Sequence, residues 1–173
     1  MIIWLTGLSG AGKSTIAQGL ADRLRRDGVQ PLLIDGDGLR EELSKGLGFS
    51  DEDRMENIRR AGAVALLAAR SGIPSVCSLI SPLRKERDLV RSHCLERDIP
   101  FMEVHISTTL ETCERRDTKG LYKKARAGLI PKFTGIDSPY EEPLAPELVI
   151  PTEDLTVQES VDLLMDRMLR FGK

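Results

Sequence analysis

The segment Gly7-Leu8-Ser9-Gly10-Ala11-Gly12-Lys13-Ser14 has the residue types and spacing that hold a chain of phosphates. Its glycines let successive backbone N–H groups turn inward around anionic oxygens, and a helix opening at Lys13 directs its positive dipole end at the same charge. Lys13 is then the ammonium that bridges the outer two phosphates, and Ser14 offers a hydroxyl to Mg²⁺. Thr15, one residue on, is placed to cap or pack. The plainer alternative is a glycine-rich turn ahead of a helix. The full spacing, directly behind a strand, favours a nucleoside triphosphate.

Further polar residues fall at the ends of apolar runs. Asp35-Gly36-Asp37 closes the second run. Asp37, facing the phosphate loop, can accept a proton from an attacking hydroxyl or orient water on Mg²⁺; alternatively it caps the next helix, and Asp35 reads more readily as a turn residue. Ser81, before Pro82, is presented at the same edge or caps the helix after it. On the helical pattern 51–71 the apolar face Ile58, Ala61, Ala65 and Ala68 continues backward to Asn57 and Arg54, where a polar ligand explains the residue types better than apolar packing does. A salt bridge for Arg54 and a solvated Arg40 are the structural alternatives. Of only seven aromatic residues, Phe49 and Phe133 lie in loop-like contexts, where they hold a planar ligand or anchor a loop. Arg115, Arg116, Lys119, Lys123, Lys124, Arg126 and Lys132 face one acid, Asp117, in the same stretch. That is a local anion field in an otherwise acidic chain. His105 reads as a core histidine and His93 as a surface one.

The elements that must carry these groups alternate. Five strands are predicted at 2–6, 31–35, 75–79, 101–106 and 147–150, and helices at 13–26, 39–44, 51–71, 83–96, 110–116 and 156–169, which is the form of an α/β fold with a mostly parallel sheet. Between 118 and 142 the pattern dissolves into a Lys-, Gly- and Pro-bearing stretch read as a lid. No repeat or linker divides the 173 residues, so one domain is expected. Twenty-five basic against 27 acidic side chains argue against nucleic acid or an anionic membrane as the main partner. The longest apolar run, 61–69, is far too short to span a bilayer, no signal sequence precedes the first strand, and three scattered cysteines form no disulfide framework or thiol zinc site. A cytoplasmic protein is expected.

The segments GLSGAGKST (7–15), DGD with Arg40, LGFSDEDRMENIRR (47–60), ISP (80–82), CERRD (113–117), KGLYKKARAG (119–128) and FTGIDSPYEEP (133–143) closely resemble the adenylylsulfate kinases, and the likeness covers nearly the whole chain. The resemblance implies a P-loop NTPase-type three-layer α/β fold with a five-stranded sheet and a lid. It implies transfer of the γ-phosphate of ATP to the 3′-hydroxyl of adenosine 5′-phosphosulfate (APS), with Mg²⁺ held at Ser14. It places ATP on Gly7, Ser9, Gly10, Ala11, Gly12, Lys13, Ser14 and Thr15, with the adenine near Arg115 and Leu155. It places the acceptor among Asp37, Arg40, Phe49, Arg54, Asn57, Ile80, Ser81, Lys119, Gly120, Leu121, Lys132 and Phe133, the two phenylalanines about its adenine. Lys13, Asp37 and Ser81 are the expected catalytic residues; Ser81 matches a serine labelled as a phosphoserine intermediate in this family, and a binding role is preferred here because in-line transfer needs none. A homodimer is implied as well. The sequence departs from the family at Gly38, where many members have Asn, and it begins at the first strand without the N-terminal extension of many relatives.

Overall fold

In Ile2-Ile3-Trp4-Leu5-Thr6 every residue is buried, as a strand covered on both faces requires. This strand, β1 (Ile2–Thr6), is the middle of the sheet in a computed structural model whose described residues are 1–171. The other strands are β2 (Leu32–Asp35), β3 (Ser75–Ser78), β4 (Phe101–Ile106) and β5 (Leu148–Ile150), in the order β2-β3-β1-β4-β5. All four pairings are parallel, so the expected mostly parallel sheet is parallel throughout. Register sets Leu5 opposite Ser78 and Thr6 opposite His105, which brings the carboxyl ends of β1, β3 and β4 to one edge. Ligands of open parallel sheets gather beyond that edge.

Alternation along β1 divides the core into two layers. Ile3 and Leu5 pack with Ile16, Leu20 and Leu24 of α1 (Lys13–Arg26) and Leu164 of α7 (Val157–Arg170). Ile2 and Trp4 pack on the other face with Ile58, Ala61 and Ala65 of α3 (Asp51–Arg70) and with Val90 and Cys94 of α4 (Arg84–Leu95). The apolar positions of α1 recur at three-to-four spacing, and that stripe is what faces the sheet. Helix α3 starts where Ser50 accepts the N–H of Asp53 at 3.1 Å and three acids fill the first turn, an arrangement whose cap alone contributes about 1 kcal/mol.

Two short helices differ from expectation. Helix α2 (Gly36–Glu42) begins directly after β2, three residues earlier than its apolar pattern suggests, because Asp35 is its N-cap and accepts the N–H of Asp37. The stretch read as patternless, 118–142, contains α6 (Leu121–Arg126) after α5 (Leu110–Arg116), and its Tyr122, Ala125 and Phe133 belong to the buried core beside α1. The stretch expected as a lid is thus a cover whose side chains pack on the core. No helix among the described residues is long and apolar enough to cross a membrane. Cys77, Cys94 and Cys113 are buried free thiols.

Candidate active site

The phosphate loop lies between β1 and α1, and its shape depends on two glycines in particular. A Cβ on Gly7 would lie 2.6 Å from the backbone oxygen of Ile106, and Gly12 has φ 102°, a conformation L side chains rarely adopt. From below, the hydroxyls of Thr108 and Thr152 donate to the carbonyl of Ala11 at 2.9 and 3.0 Å. Lys13 is buried and donates to the carbonyl of Leu8 at 2.7 Å; burial pushes its ammonium down to about 8. Thr15 is exposed in the first turn of α1, so the expected capping or packing role does not occur, and Gly12 holds the cap position.

Ser14 meets Asp35, a carboxylate whose sequence context suggests a turn residue. Its hydroxyl donates to Asp35 Oδ2 at 2.7 Å and lies 3.0 Å from the Ser78 hydroxyl, which donates to the same oxygen at 3.0 Å. Burial by itself would raise Asp35, but the bonds from Ser14 and Ser78 and from the N–H groups of Asp37 and Gly38 outweigh it and hold the carboxyl below its usual range. Three convergent oxygens suit a hard cation such as Mg²⁺. No group of three or more His, Cys, Asp or Glu that could cage a metal occurs among the described residues. That donor set fits an ion whose remaining ligands are phosphate oxygens and water.

Asp37 is exposed in the first turn of α2, its carboxylate accepting from Lys119. The cap role considered for Asp37 is filled by Asp35. Arg40 donates to the carbonyl of Gly48 at 2.9 Å and its guanidinium lies 4.6 Å from the ring centre of Phe49, which is 65% exposed. Arg54 makes no salt bridge among the described residues. It donates through Nε to the carbonyl of Phe49 at 3.0 Å, through one terminal nitrogen to Thr134 Oγ1 at 2.9 Å, and through the other to the carbonyl of Lys132. Asn57 is 5% exposed, and its Oδ1 has no hydrogen-bond partner among the described residues. An unpaired buried amide oxygen of this kind marks a place for a ligand's donor group.

Lys132 is exposed at φ 56°, its ammonium 3.9 Å from Asp51. Phe133, in contrast to Phe49, is buried edge-on to Tyr122 with ring centres 5.0 Å apart. The two phenylalanines thus differ: Phe133 is anchored in the core, and Phe49 is exposed with the Arg40 guanidinium over its ring. Gly120 is the left-handed N-cap of α6, and Leu121 packs at the margin of the core. The carbonyl of Ile80 accepts from Thr6 at 2.8 Å. Ser81 does not cap α4, whose N-cap is Leu83. It sits at φ 39°, 1% exposed, its Oγ accepting the indole N–H of Trp4 at 3.1 Å.

Several contributors have partners too distant in sequence to be read there. Arg87, 1% exposed, donates to Glu103 at 2.6 Å, to the carbonyl of Ser81 at 2.6 Å and to that of Glu141 at 2.7 Å. It therefore holds the Ser81 turn and the end of the 118–142 cover together. Its partner Glu103 belongs to a network continued by Arg91 and Glu147, which supplies the pairing a buried charge requires. Among the described residues Arg115 donates to Thr112 of its own helix, whereas Arg116 bonds Thr152 at both hydroxyl and carbonyl, 3.1 and 3.0 Å. Arg116 thus hydrogen-bonds the 152–155 turn, while Arg115 lies near enough to Glu153 of that turn to help lower its carboxyl. Leu155 packs partly buried against the core. A cavity of about 620 Å³ between the end of β4 and residues 135–142 is lined by none of the residues predicted for the site. A smaller one of about 90 Å³ reaches Arg54.

The adenylylsulphate kinase family model matches residues 1–151. A probable adenylyl-sulfate kinase of Halalkalibacterium halodurans is 53% identical over 161 residues, covering 93% of this chain and 79% of its own. The adenylyl-sulfate kinase of Bacillus pumilus is 54% identical over 172 residues, covering 99% and 86%. Among solved structures, the Mycobacterium tuberculosis APS kinase CysC in complex with AMPPNP and APS superposes with a TM-score of 0.94 at 45% identity, covering 97% of this chain and 96% of that one. With a family model spanning most of its length and relatives above half identity, the chain belongs to the adenylyl-sulfate kinase family.

Proposed function

We propose that this protein transfers the γ-phosphate of ATP to the 3′-hydroxyl of APS, giving 3′-phosphoadenosine 5′-phosphosulfate and ADP. The observation that carries the reading is the meeting at one sheet edge of two sets of groups. One is a phosphate loop with a buried lysine. The other is a polar cluster on α2, α3 and the 118–142 cover that includes an unpaired buried amide, at Asn57.

ATP lies along residues 7–15, its phosphates against the loop amides and Lys13. Ser14 and Asp35 would hold Mg²⁺, which, bound with ATP, would supply positive charge against the phosphates. The acceptor lies among Asp37, Arg40, Phe49, Arg54, Asn57, Ile80, Ser81, Lys119, Lys132 and Phe133. Asp37 orients its 3′-hydroxyl and takes its proton as oxygen attacks phosphorus in line; Lys119, now paired with Asp37, is the neighbouring cation that offsets negative charge as it builds. Ser81 acts as a binding group, since its oxygen is buried and already accepts from Trp4. The cover 118–142 excludes water from the transfer.

Gly38, where many relatives carry Asn, faces open space: a Cβ there meets nothing within 4 Å. Packing does not impose the glycine, and its effect on acceptor binding is a matter of missing side-chain contacts alone. The reading includes one kinase domain, a homodimer and a cytoplasmic location. Initial rates of ADP release with APS, with adenosine 5′-monophosphate and with no acceptor test the activity: release must depend on APS, and equal rates in all three would refute it.

A further inference from the structure

Residues 119–134 touch the nucleotide side and the acceptor side of the site at once. On the nucleotide side the contact is Tyr122, 2% exposed, whose hydroxyl donates to the carbonyl of Ser9 at 2.9 Å. Its ring also lies against the loop backbone, since a Cβ on Gly10 would come 4.0 Å from Tyr122 Cε2. On the acceptor side Lys119 bonds Asp37, while the Lys132 carbonyl and the Thr134 hydroxyl accept from Arg54. Tyr122 meets that side too, through its edge contact with Phe133.

The segment between these contacts is stiffened by its own bonds. The Asp117 carboxylate accepts the N–H groups of Tyr122 and Lys123, each at 3.0 Å, which fixes the start of α6. Asp137 accepts those of Lys132 and Phe133 at 2.7 and 2.5 Å, which fixes the far end. A displacement of the Ser9 carbonyl must therefore either break the Tyr122 bond or be passed on to Lys119, Lys132 and Thr134. Burial raises the phenol further above neutrality, so the hydroxyl stays a donor across the working pH range.

We propose that Tyr122 is a positioning residue that couples the two substrate sites, its hydroxyl tying residues 119–134 to the phosphate loop so that an occupied loop pre-forms the acceptor side. Phosphates in the loop fix its amides and with them the Ser9 carbonyl. Tyr122 passes that order to the segment carrying the partners of Asp37 and Arg54. By linkage, an acceptor that orders 119–134 tightens nucleotide binding by the same factor. The proposal rests on the functional reading for the identity of the acceptor, but the coupling itself is a property of the phosphate loop and the cover.

Tyr122→Phe removes the bond to Ser9 and keeps the buried ring, so it separates coupling from anchoring. Hydrogen exchange is measured with and without magnesium adenylyl imidodiphosphate. In the wild type the nucleotide should slow exchange across 119–134 by about fivefold or more, the lower range of typical couplings. In the variant, which should still bind the nucleotide, exchange in 119–134 should stay within about twofold of its ligand-free rate, close to no coupling. Equal slowing in both proteins, no slowing in the wild type, or loss of nucleotide binding in the variant overturns the coupling role. Calorimetry adds the acceptor: the factor by which the nucleotide analogue tightens APS binding should fall toward one in Tyr122→Phe. A wild type that binds no APS would refute the functional reading and leave the exchange result to decide the coupling.

Discussion

Replacing Asn57 by Leu should make the ligand-free protein more stable and the enzyme worse. Asn57 is 5% exposed and its Oδ1 has no partner among the described residues. A buried polar atom without a partner costs about 1–3 kcal/mol. Leucine keeps the γ-branched shape, removes the unpaired oxygen and adds a little apolar volume; allowing for tight packing on α3, a net gain of about 1–2 kcal/mol is expected. In a chain of this size each kcal/mol moves Tm by about 2–4 °C, so the variant should melt roughly 2–8 °C higher without ligands. A bound acceptor that donates to Asn57 would lose its partner, which costs about 1.4–3 kcal/mol and lowers kcat/KM for APS by about tenfold or more, with KM for ATP little changed. The assay pairs ligand-free thermal unfolding with initial rates in which APS and ATP are varied separately. A variant that melts lower than wild type while its KM for APS is unchanged would refute the reasoning, since Asn57 would then be a structural group.

The remaining predictions concern charge and the Ser81 turn. Because burial lowers Lys13 from 10.5 to about 8, the unfolded chain binds that proton more tightly; the penalty to the ligand-free fold is complete below about pH 8 and is relieved as pH rises from about 8 to 10.5. Phosphates reverse the shift, so nucleotide binding above pH 8 should take up a proton and weaken with rising pH; calorimetry in buffers of different ionisation enthalpy reads the uptake, and Lys13→Arg should abolish it. Ser81→Ala should raise KM for APS while turnover persists, and a trapped phosphoenzyme in the wild type would contradict the binding role. The only tryptophan, Trp4, donates to Ser81, so its emission should shift in that variant.

What the sequence disclosed and what it hid follow the range of the interactions. Helix α1 occupies the predicted residues because its start is set by Gly12 and its stripe by five local apolar positions, and β1, β4 and α5 match their predicted limits for similar local reasons. The polar continuation of the α3 stripe to Asn57 and Arg54 was readable from helical spacing. Helix α6 has no visible period in the sequence because six residues opened by a left-handed glycine bury only Tyr122 and Ala125. The role of Asp35 is hidden in sequence because its partners Ser14 and Ser78 lie 21 and 43 residues away, although its cap on Asp37 is local, an Asp directly ahead of a helix. Arg87 has no local signature at all: its bonds to Glu103 and Glu141 exist only once α4, β4 and the cover are assembled.

Incubating the protein with Mg²⁺, APS and ATP labelled at its γ-phosphate, then separating the nucleotides and locating the label by phosphorus NMR or 3′-nucleotidase cleavage, tests the central claim most directly. The account predicts stoichiometric transfer to APS, with all label on the 3′-oxygen and released by the nucleotidase. Label recovered as inorganic phosphate at a rate indifferent to APS, or on any other position of the acceptor, would contradict it.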